Sequence, residues 1–368
     1  MINLRFFKLI LFPICIILLF SSCSNSSNND SLFELLESDA TGIDVINAIE
    51  TTRDFNVFRY RNFYNGGGVS VGDINNDGLA DIYLTINRGP NKLYLNKGNF
   101  QFEDITESAG VTGTKPWSTG VVMVDINADG FLDIYVCNAG IISGDEQDNE
   151  LFVNNGNGTF SEKATEYNLA DSGITTHAAF FDYDLDGDLD VYILNNSFIP
   201  VTTLGYNDKR ELRDENWDVP SKLKGGGDKL LRNDNNYFTD VSEEAGIYGS
   251  LIGFGLGVTL GDVDKDGYID IYVSNDFYER DYLYMNQGDG TFKDEIQEMV
   301  SHLSHFSMGA DMADLNNDGY VEIYVTDMLP EGDQKLKETT QFEGYDIYRL
   351  KLEKEFYHQF MQNTLLSI

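Results

Sequence analysis

The sequence predicts an all-β fold, a β-propeller, from three observations. A nine-residue acidic loop recurs five times, each copy is flanked by β-forming segments, and the copies are spaced like four-stranded blades. The first residue of successive loops falls at 73, 125, 182, 262 and 314, giving steps of 52, 57, 80 and 52 residues. A period of this length is typical of one blade with long connections. A single blade buries too little apolar surface to be stable alone, so the blades are expected to pack radially.

The five loops share one pattern of oxygen-bearing side chains. Each has Asp, Asn or Glu at positions 1, 3, 5 and 9 and Gly at position 6, an arrangement that wraps oxygen ligands around a hard cation such as Ca²⁺. The predicted metal ligands are Asp73, Asn75, Asp77 and Asp81 in loop 1; Asp125, Asn127, Asp129 and Asp133 in loop 2; Asp182, Asp184, Asp186 and Asp190 in loop 3; Asp262, Asp264, Asp266 and Asp270 in loop 4; and Asp314, Asn316, Asp318 and Glu322 in loop 5. One such copy is compatible with a solvated β-turn. Five copies in the same context favour up to five structural Ca²⁺ ions, and the sequence suggests no other cofactor.

These loops are not EF-hand loops. An EF-hand requires a bidentate Glu at position 12 and a helix on either side. Position 12 is apolar in all five copies, as in Leu84 and Val136, and it belongs to runs of β-branched and aromatic residues that favour a strand. The loops are therefore expected to join strands.

The rest of the repeat also recurs. After each of the first four loops comes a segment that ends in Asn, such as residues 91–96, and then a Gly- or Asn-rich turn and a Phe-centred strand, such as residues 157–162. The turn composition is typical of hairpins. Each unit is thus predicted to run strand, acidic loop, strand, turn, strand, turn, strand. The 24 Phe and 21 Tyr residues are expected to pack between blades rather than to stack on a ligand.

The longest matching stretches, residues 64–73, 117–121, 179–184, 308–314 and 327–331, resemble FG-GAP and VCBS repeat proteins, the integrin-α-like propellers. Within that family the chain is most similar to bacterial lipoproteins that carry such a propeller ahead of an ASPIC/UnbV domain, a group that includes cartilage-acidic-protein-like sequences. The resemblance covers about residues 40–368. It implies that the loop oxygens bind Ca²⁺ and that a complete ring has about seven blades.

Two inserts interrupt the repeats, at about residues 195–227 and 333–362, and the second has a helix-prone composition. Residues 363–368 then resemble the start of the third strand of a fifth blade. The sequence therefore predicts a partial propeller over residues 40–368, truncated at its C-terminal end. The alternative is a small five-bladed ring in which residues 43–62 fold back as a closing strand.

The N-terminus predicts export. Residues 1–22 begin with Arg5 and Lys8 and continue with an apolar run that is too short to span a membrane, which is typical of a signal peptide. The sequence Ser21-Ser22-Cys23 resembles a lipobox, so Cys23 is the expected lipidation site and residues 23–39 a flexible tether. These features predict a protein that is lipid-anchored to the bacterial outer membrane or cell surface. The alternative is an ordinary Cys23 thiol within a signal peptide that is cleaved elsewhere.

The formal net charge of −36 argues against nucleic-acid binding, which requires a basic surface. No catalytic residue is assigned, because the four His residues are expected at blade edges and no nucleophile motif is present. The expected function is therefore a non-catalytic scaffold that binds a glycan or protein ligand. The alternatives are a propeller-based polysaccharide lyase or hydrolase, and an inactive fragment of a longer protein.

The first insert is the candidate ligand-binding loop on the propeller rim. It contains a basic and aromatic cluster that is unusual in so acidic a chain: Tyr206, Lys209, Arg210, Arg213, Trp217, Lys222 and Lys224. Long loops of this kind are commonly functional or disordered. A flexible, solvated insert is the alternative.

Overall fold

The computed structural model describes residues 32–139, 146–197, 210, 213–218, 224–339 and 343–367. These residues form antiparallel blades. Blade 1 consists of β1 (Val69–Gly72), β2 (Asp81–Leu84), β3 (Lys92–Asn96) and β4 (Phe102–Asp104); blade 2 of β5 (Ser118–Val124), β6 (Asp133–Asn138), β7 (Glu150–Asn154) and β8 (Phe160–Glu162); blade 3 of β9 (Thr175–Phe181), β10 (Asp190–Asn195), β11 (Lys229–Asn233) and β12 (Phe238–Asp240); blade 4 of β13 (Gly255–Gly261), β14 (Asp270–Asn275), β15 (Tyr282–Asn286) and β16 (Phe292–Asp294). Strand β17 (Leu303–Ser304) pairs with β20 (Gln359–Phe360), and blade 5 consists of β18 (Ser307–Ala313), β19 (Glu322–Asp327) and β21 (Thr364–Ser367).

The helices are short and lie in the N-terminal segment, between strands or in the second insert. They are α1 (Ser38–Thr41), α2 (Thr106–Ala109), α3 (Ala164–Tyr167), α4 (Ile296–Met299), α5 (Asp333–Thr339) and α6 (Tyr345–Glu353), with 3₁₀ turns at Arg61–Tyr64 and Asp214–Asn216. Helices α5 and α6 confirm the helical character predicted for the second insert. In the part of the chain that the structure describes, no helix is long and apolar enough to cross a membrane.

The strand order confirms the predicted repeat. Each of the first four blades is a meander in which every strand pairs with the next along the chain, and an acidic loop joins its first two strands. In blade 5, β21 pairs with β19, as expected for a third strand. The described part of blade 5 therefore has three strands.

The blades stack around an axis lined by their first strands. β1 contacts β5, β5 contacts β9, β9 contacts β13, and β13 contacts β18. Four apolar clusters fill the spaces between successive blades. Between blades 1 and 2, for example, Tyr83 and Leu93 of one blade pack with Val121, Ile134 and Phe152 of the next. Most of the buried aromatic residues therefore lie between blades, as predicted.

The stack has two exposed end faces. Three side-chain positions that are buried in blades 1 to 4 are open in blade 5, where Leu315, Tyr324 and Leu365 are 57%, 43% and 56% exposed. At the other end, Val69 and Val71 of β1 are 61% and 60% exposed, although Val121 at the equivalent position of blade 2 is buried. Both faces have the apolar character of an interblade surface, so the five blades form an open arc.

The N-terminal segment does not supply a closing strand. Residues 43–62 contain no strand. Phe55, Tyr60 and Phe63 instead pack around Trp117, which lies just before β5, on the side of the arc opposite the acidic loops. The structure thus does not contain the closure that would make a five-bladed ring.

Two buried carboxylates should make stability depend on pH. Asp228 and Asp281 precede the third strands of blades 3 and 4, where blades 1 and 2 have Asn. The Asp228 carboxylate accepts from the Tyr192 hydroxyl (2.9 Å) and the Asn195 N–H (2.9 Å), and Asp281 is held in the same way. Burial raises the pKa of each carboxyl to about 7, and these hydrogen bonds oppose the rise.

Since the folded pKa lies above the unfolded value of about 4, the native state binds more protons than the unfolded state between about pH 4 and pH 7. The free energy of unfolding should therefore fall as pH rises through this window, by about 3 kcal/mol per carboxyl between pH 5 and pH 8. The variants D228N and D281N carry the residue of blades 1 and 2 and should flatten this slope. Urea unfolding across the pH range, at fixed calcium concentration, measures it. An unchanged slope in the double variant would contradict the assignment.

Candidate metal centres

The five acidic loops fold alike because the first aspartate organises the backbone. In loop 3, Oδ1 of Asp182 accepts from the N–H of Asp186 (3.1 Å) and Oδ2 from that of Gly187 (3.1 Å). The position 1 aspartate accepts the Gly N–H in every loop. Each Gly has a positive φ, from 85° to 100°, which confirms the turn predicted for position 6.

The residue at position 9 closes each loop from within the sheet. It begins the second strand, and its two carboxylate oxygens accept from the backbone N–H of position 2 and, in loops 1 to 4, from that of the Asn that ends the third strand. In loop 4, Oδ2 of Asp270 accepts from Val263 (2.8 Å) and Oδ1 from Asn286 (2.8 Å). In loop 5, Glu322 accepts from the N–H of Leu315 (2.8 Å) and from the side chain of Asn316 (2.6 Å). In loops 1 to 4 the position 9 carboxylate thereby links the second and third strands of the blade to the acidic loop.

Burial makes the position 9 carboxylates costly to ionise. It raises the pKa of Asp133 to about 6, of Asp190 to about 7 and of Asp270 to about 6. The backbone N–H donors oppose this rise, and the neighbouring loop carboxylates add to it. A divalent cation beside these groups would offset the burial and the repulsion together, because it favours their charged forms.

Two loops bring three carboxylates together. Asp182, Asp184 and Asp190 each place an oxygen within 4.8 Å of the others, and so do Asp262, Asp264 and Asp270. Positions 1, 3 and 9 therefore converge in these two loops. In both loops the position 5 carboxylate stands outside this group of three, and its Oδ1 accepts from the N–H of position 7. A role for position 5 as a ligand stays a prediction.

Loops 1, 2 and 5 have Asn at position 3 and so present one carboxylate fewer. In loops 1 and 5 that amide donates to the aspartate at position 5, from Asn75 to Asp77 (3.1 Å) and from Asn316 to Asp318 (2.9 Å). The N–H of position 5 nevertheless donates to the first aspartate in these loops, as it does in loop 3. These loops have a similar backbone conformation but less negative charge than loops 3 and 4. Metal binding in them stays a prediction.

The donor set fits a hard cation. All of the converging groups are oxygen donors, which suit Ca²⁺ or Mg²⁺ rather than the softer transition metals. Oδ1 of Asp262 is buried and has no hydrogen-bond partner among the described residues. A buried carboxylate oxygen without a partner lowers the stability of the folded state, and a bound cation would supply the missing partner.

The Asn at the end of each third strand has a role that its recurrence could have indicated. Besides donating its N–H to position 9, it bonds to the acidic loops through its side chain. Nδ2 of Asn286 donates to the carbonyl of Tyr183 in loop 3 (2.8 Å), and Nδ2 of Asn154 donates to that of Ile74 in loop 1 (2.9 Å). Among the residues that the structure describes, Nδ2 of Asn233 donates only within its own blade, to the carbonyl of Leu189 (3.2 Å). Loops 1 and 2, and loops 3 and 4, are thus joined in pairs.

This difference supports a matched comparison. N286A should destabilise the fold by about 1 kcal/mol more than N233A, because only Asn286 makes the bond across blades. N286A should also weaken calcium binding at loop 3 through the lost bond to Tyr183. Urea unfolding and calorimetric calcium titration of both variants test the two effects. Equal losses in N286A and N233A would show that the bond across blades contributes nothing.

The described residues of the first insert do not form the open binding loop that its composition suggested. Arg210 is buried and pairs with Glu279, Arg213 donates to the carbonyl of Ile247 (2.9 Å), and Trp217 packs beside Ile252 and Phe356. Lys224 donates to the carbonyl of Glu215 (2.7 Å). Tyr206, Lys209 and Lys222 lie outside the described residues. The described basic and aromatic side chains therefore hold the insert to blade 4, together with residues of the second insert, and do not form an open binding surface.

The cysteines of the chain divide between its undescribed and its described parts. Residues 1–31, which include the predicted signal peptide and Cys23, lie outside the described part of the chain. Cys137 is buried in β6 as a free thiol, and burial raises its pKa strongly. This cysteine is therefore unreactive in the folded protein.

Comparisons with known proteins agree with this architecture. Three segments, residues 73–136, 140–193 and 262–325, match the FG-GAP-like repeat, and all five acidic loops lie within them. The protein is therefore an all-β propeller protein that carries FG-GAP-like repeats.

Among individual proteins, the chain is similar to cartilage acidic protein 1. It is 36% identical to that of Xenopus tropicalis over 141 residues, which are 37% of this chain and 21% of the relative. It is 38% identical to the Homo sapiens protein over 101 residues, which are 27% of this chain and 15% of the relative. The similarity thus spans about a fifth or less of these relatives' length.

Solved structures give weaker likenesses. One is an Agrocybe aegerita lectin whose structure is described as showing recognition of non-reducing terminal N-acetylglucosamine, with a TM-score of 0.36, 17% identity, and coverage of 69% of this chain and 59% of the lectin. Another is an exo-inulinase from Aspergillus awamori, with a TM-score of 0.36, 10% identity, and coverage of 71% and 57%. Likenesses at this level say nothing about ligand or activity.

Proposed function

We propose that this protein is a Ca²⁺-stabilised, non-catalytic β-propeller that acts as a binding scaffold for a glycan or protein ligand. The observation that supports this most directly is the convergence of three carboxylates in each of loops 3 and 4. An empty loop of this kind is held together against the repulsion of its own charges, and a divalent cation would convert that repulsion into attraction.

Calcium is the expected ion because of the ligand type and geometry. The loops offer carboxylate, amide and backbone oxygens in an irregular arrangement, which Ca²⁺ tolerates with six to eight ligands, whereas Mg²⁺ demands near-octahedral geometry. The residues that would hold the ion are positions 1, 3 and 9, with position 5 as a further candidate. When bound, the ion would supply charge neutralisation and cross-linking of the loop to the second strand. Such a role is structural.

The test is a calorimetric titration with Ca²⁺ on the chain that follows the signal peptide. At least two ions should bind, with dissociation constants on the order of 10⁻⁴ to 10⁻³ M if the sites resemble other extracellular calcium modules. D184N should abolish or strongly weaken one of them. D188N is a matched control, because Asp188 lies in the same loop but outside the group of three. No bound calcium, or equal effects of D184N and D188N, would contradict the proposal.

We also propose that the protein is exported and lipid-anchored through Cys23 to the outer membrane or cell surface. The support is the N-terminal sequence, with its basic start, short apolar run and Ser21-Ser22-Cys23 site. A palmitate label should be incorporated by cells that express the full chain and lost in C23S. Label retained in C23S, or a wild-type protein that partitions entirely into the aqueous phase of a detergent extraction, would exclude the anchor.

A further inference from the structure

A groove lies between blades 3 and 4 on the side of the acidic loops. It has a volume of about 380 Å³. Its walls come from loop 3, from β11, from the segment after β12, and from the turn between β15 and β16. The polar side chains that matter here are Asp184, Arg232, Glu244 and Asp289. The volume is within the usual range for a small-molecule site.

Arg232 distinguishes this groove from the other interblade positions. It lies one residue before the Asn that ends the third strand, where the other blades have Leu95, Val153 and Met285. Its guanidinium is held by both oxygens of Asp234, with Nε–Oδ1 and Nη2–Oδ2 distances of 3.2 Å and 3.0 Å. The bidentate pair fixes the plane of the guanidinium at the groove. A strand position that is apolar in blades 1, 2 and 4 therefore presents a guanidinium donor of fixed orientation in blade 3.

Acceptors line the same groove, Glu244 from blade 3 and Asp289 from the blade 4 turn. Oδ1 of Asp289 accepts from the N–H (3.1 Å) and the hydroxyl (2.6 Å) of Thr291, which fixes the carboxylate on the tight turn. Glu244 is exposed on the blade 3 wall. The groove thus combines one guanidinium donor with three carboxylates, those of Asp184, Glu244 and Asp289, and this excess of negative charge disfavours an anionic ligand.

A ligand suited to such a site must carry no negative charge and must both donate hydrogen bonds to the carboxylates and accept them from Arg232, which a simple cation cannot do. A hydroxyl group does both. We propose that the groove binds one neutral sugar residue, with Arg232 donating to its hydroxyl oxygens and Asp289 and Glu244 accepting from its hydroxyl groups. This inference rests on the proposed binding function and narrows its ligand class to a neutral saccharide.

The groove also borders a metal loop. Asp184 lines it and belongs to the carboxylate group of loop 3. Because the same side chain serves both, disorder in loop 3 should weaken sugar binding. Arg232 and Asp289 are outside that carboxylate group, so changes there should leave calcium binding intact and separate the two functions.

Saturation-transfer NMR and titration measure the binding of five methyl glycosides, those of mannose, galactose, N-acetylglucosamine, glucuronate and glucosamine. At least one neutral glycoside should bind in calcium, more tightly than the charged ones. R232L installs the residue of blade 1 and should weaken that binding by about tenfold or more, the usual consequence of losing a charged hydrogen bond. D289N installs the residue that blade 2 uses in the equivalent turn and should weaken it to a smaller extent.

The matched control is N157D, which makes the reverse change in the turn of blade 2 and should leave binding as in the wild type. Calcium is titrated into every variant. If calcium binds and no neutral glycoside does, or if R232L binds a glycoside as tightly as the wild type, the sugar site is excluded while the calcium scaffold stands. A preference for the glucuronate or glucosamine glycoside also overturns it. If calcium does not bind, the proposed calcium-stabilised scaffold is itself contradicted, and the sugar site that rests on it is contradicted with it.

Discussion

Chelation of calcium should lower the melting temperature of this protein by on the order of 10 °C. An ion that binds only the folded state at a hundredfold its dissociation constant contributes about 2.7 kcal/mol per site. Loops 3 and 4 alone would then contribute about 5 kcal/mol. For a chain of this size each kcal/mol corresponds to roughly 2 °C. The effect is large because the buried carboxylates at position 9 become unfavourable again when the ion is removed.

Differential scanning calorimetry in 10 mM CaCl₂ and in EDTA measures this effect. Magnesium at the same concentration is the control for ionic strength and should restore little of the loss, because it fits an irregular loop poorly. A double variant, D184N with D264N, removes the middle carboxylate from both groups of three and should melt almost alike in the two buffers. Identical melting of the wild type with and without EDTA would rule out a stabilising metal.

Breaking the buried ion pair between Arg210 and Glu279 should cost about 3–5 kcal/mol of unfolding free energy. The Nε–Oε1 distance is 2.8 Å, and the two side chains are 7% and 0% exposed. The guanidinium also lies over the ring of Tyr248, 4.5 Å from its centroid. Burial raises the pKa of Glu279, and the charge of Arg210 opposes this rise. R210M would therefore leave a buried carboxylate without its principal partner.

Urea unfolding of R210M, of E279M and of the double variant measures the effect. The double variant should recover most of the stability, since two apolar side chains then replace two buried charges. The control is K293M, which removes an exposed pair with Glu295 on the same blade and should leave the stability close to that of the wild type, because solvent screens such a pair. Single variants within 1 kcal/mol of the wild type would show that the insert is not held by this pair.

The acidic loops and the blade meander could be predicted from the sequence because both are local. Gly at position 6, the alternating oxygen residues and the Phe-centred hairpins each act within a few residues of one another. The left-handed backbone at position 4 was not anticipated. Leu185 and Lys265 adopt φ values of 60° and 64°, imposed by the hydrogen bonds of the first aspartate rather than by their own preference.

Interactions between distant segments could not be predicted in this way. Arg210 meets a carboxylate 69 residues further along the chain, and Trp217 packs beside residues of the second insert. Composition marked these side chains as exposed ligand contacts, but packing determined their role. Likewise, the loop pattern predicts position 5 as a ligand in every loop, and only side-chain geometry separates it from positions 1, 3 and 9 in loops 3 and 4.

The open arc has a consequence for how the molecule comes apart. Blades 2, 3 and 4 each have a neighbour on both sides, whereas the outermost sheets are each supported from one side only. In an array with nearest-neighbour coupling, local unfolding starts in the end blades and extends toward the middle. Protection against amide hydrogen exchange should therefore rise from blades 1 and 5 toward blade 3. The central sheets, which carry the two richest carboxylate loops, would be the last to melt.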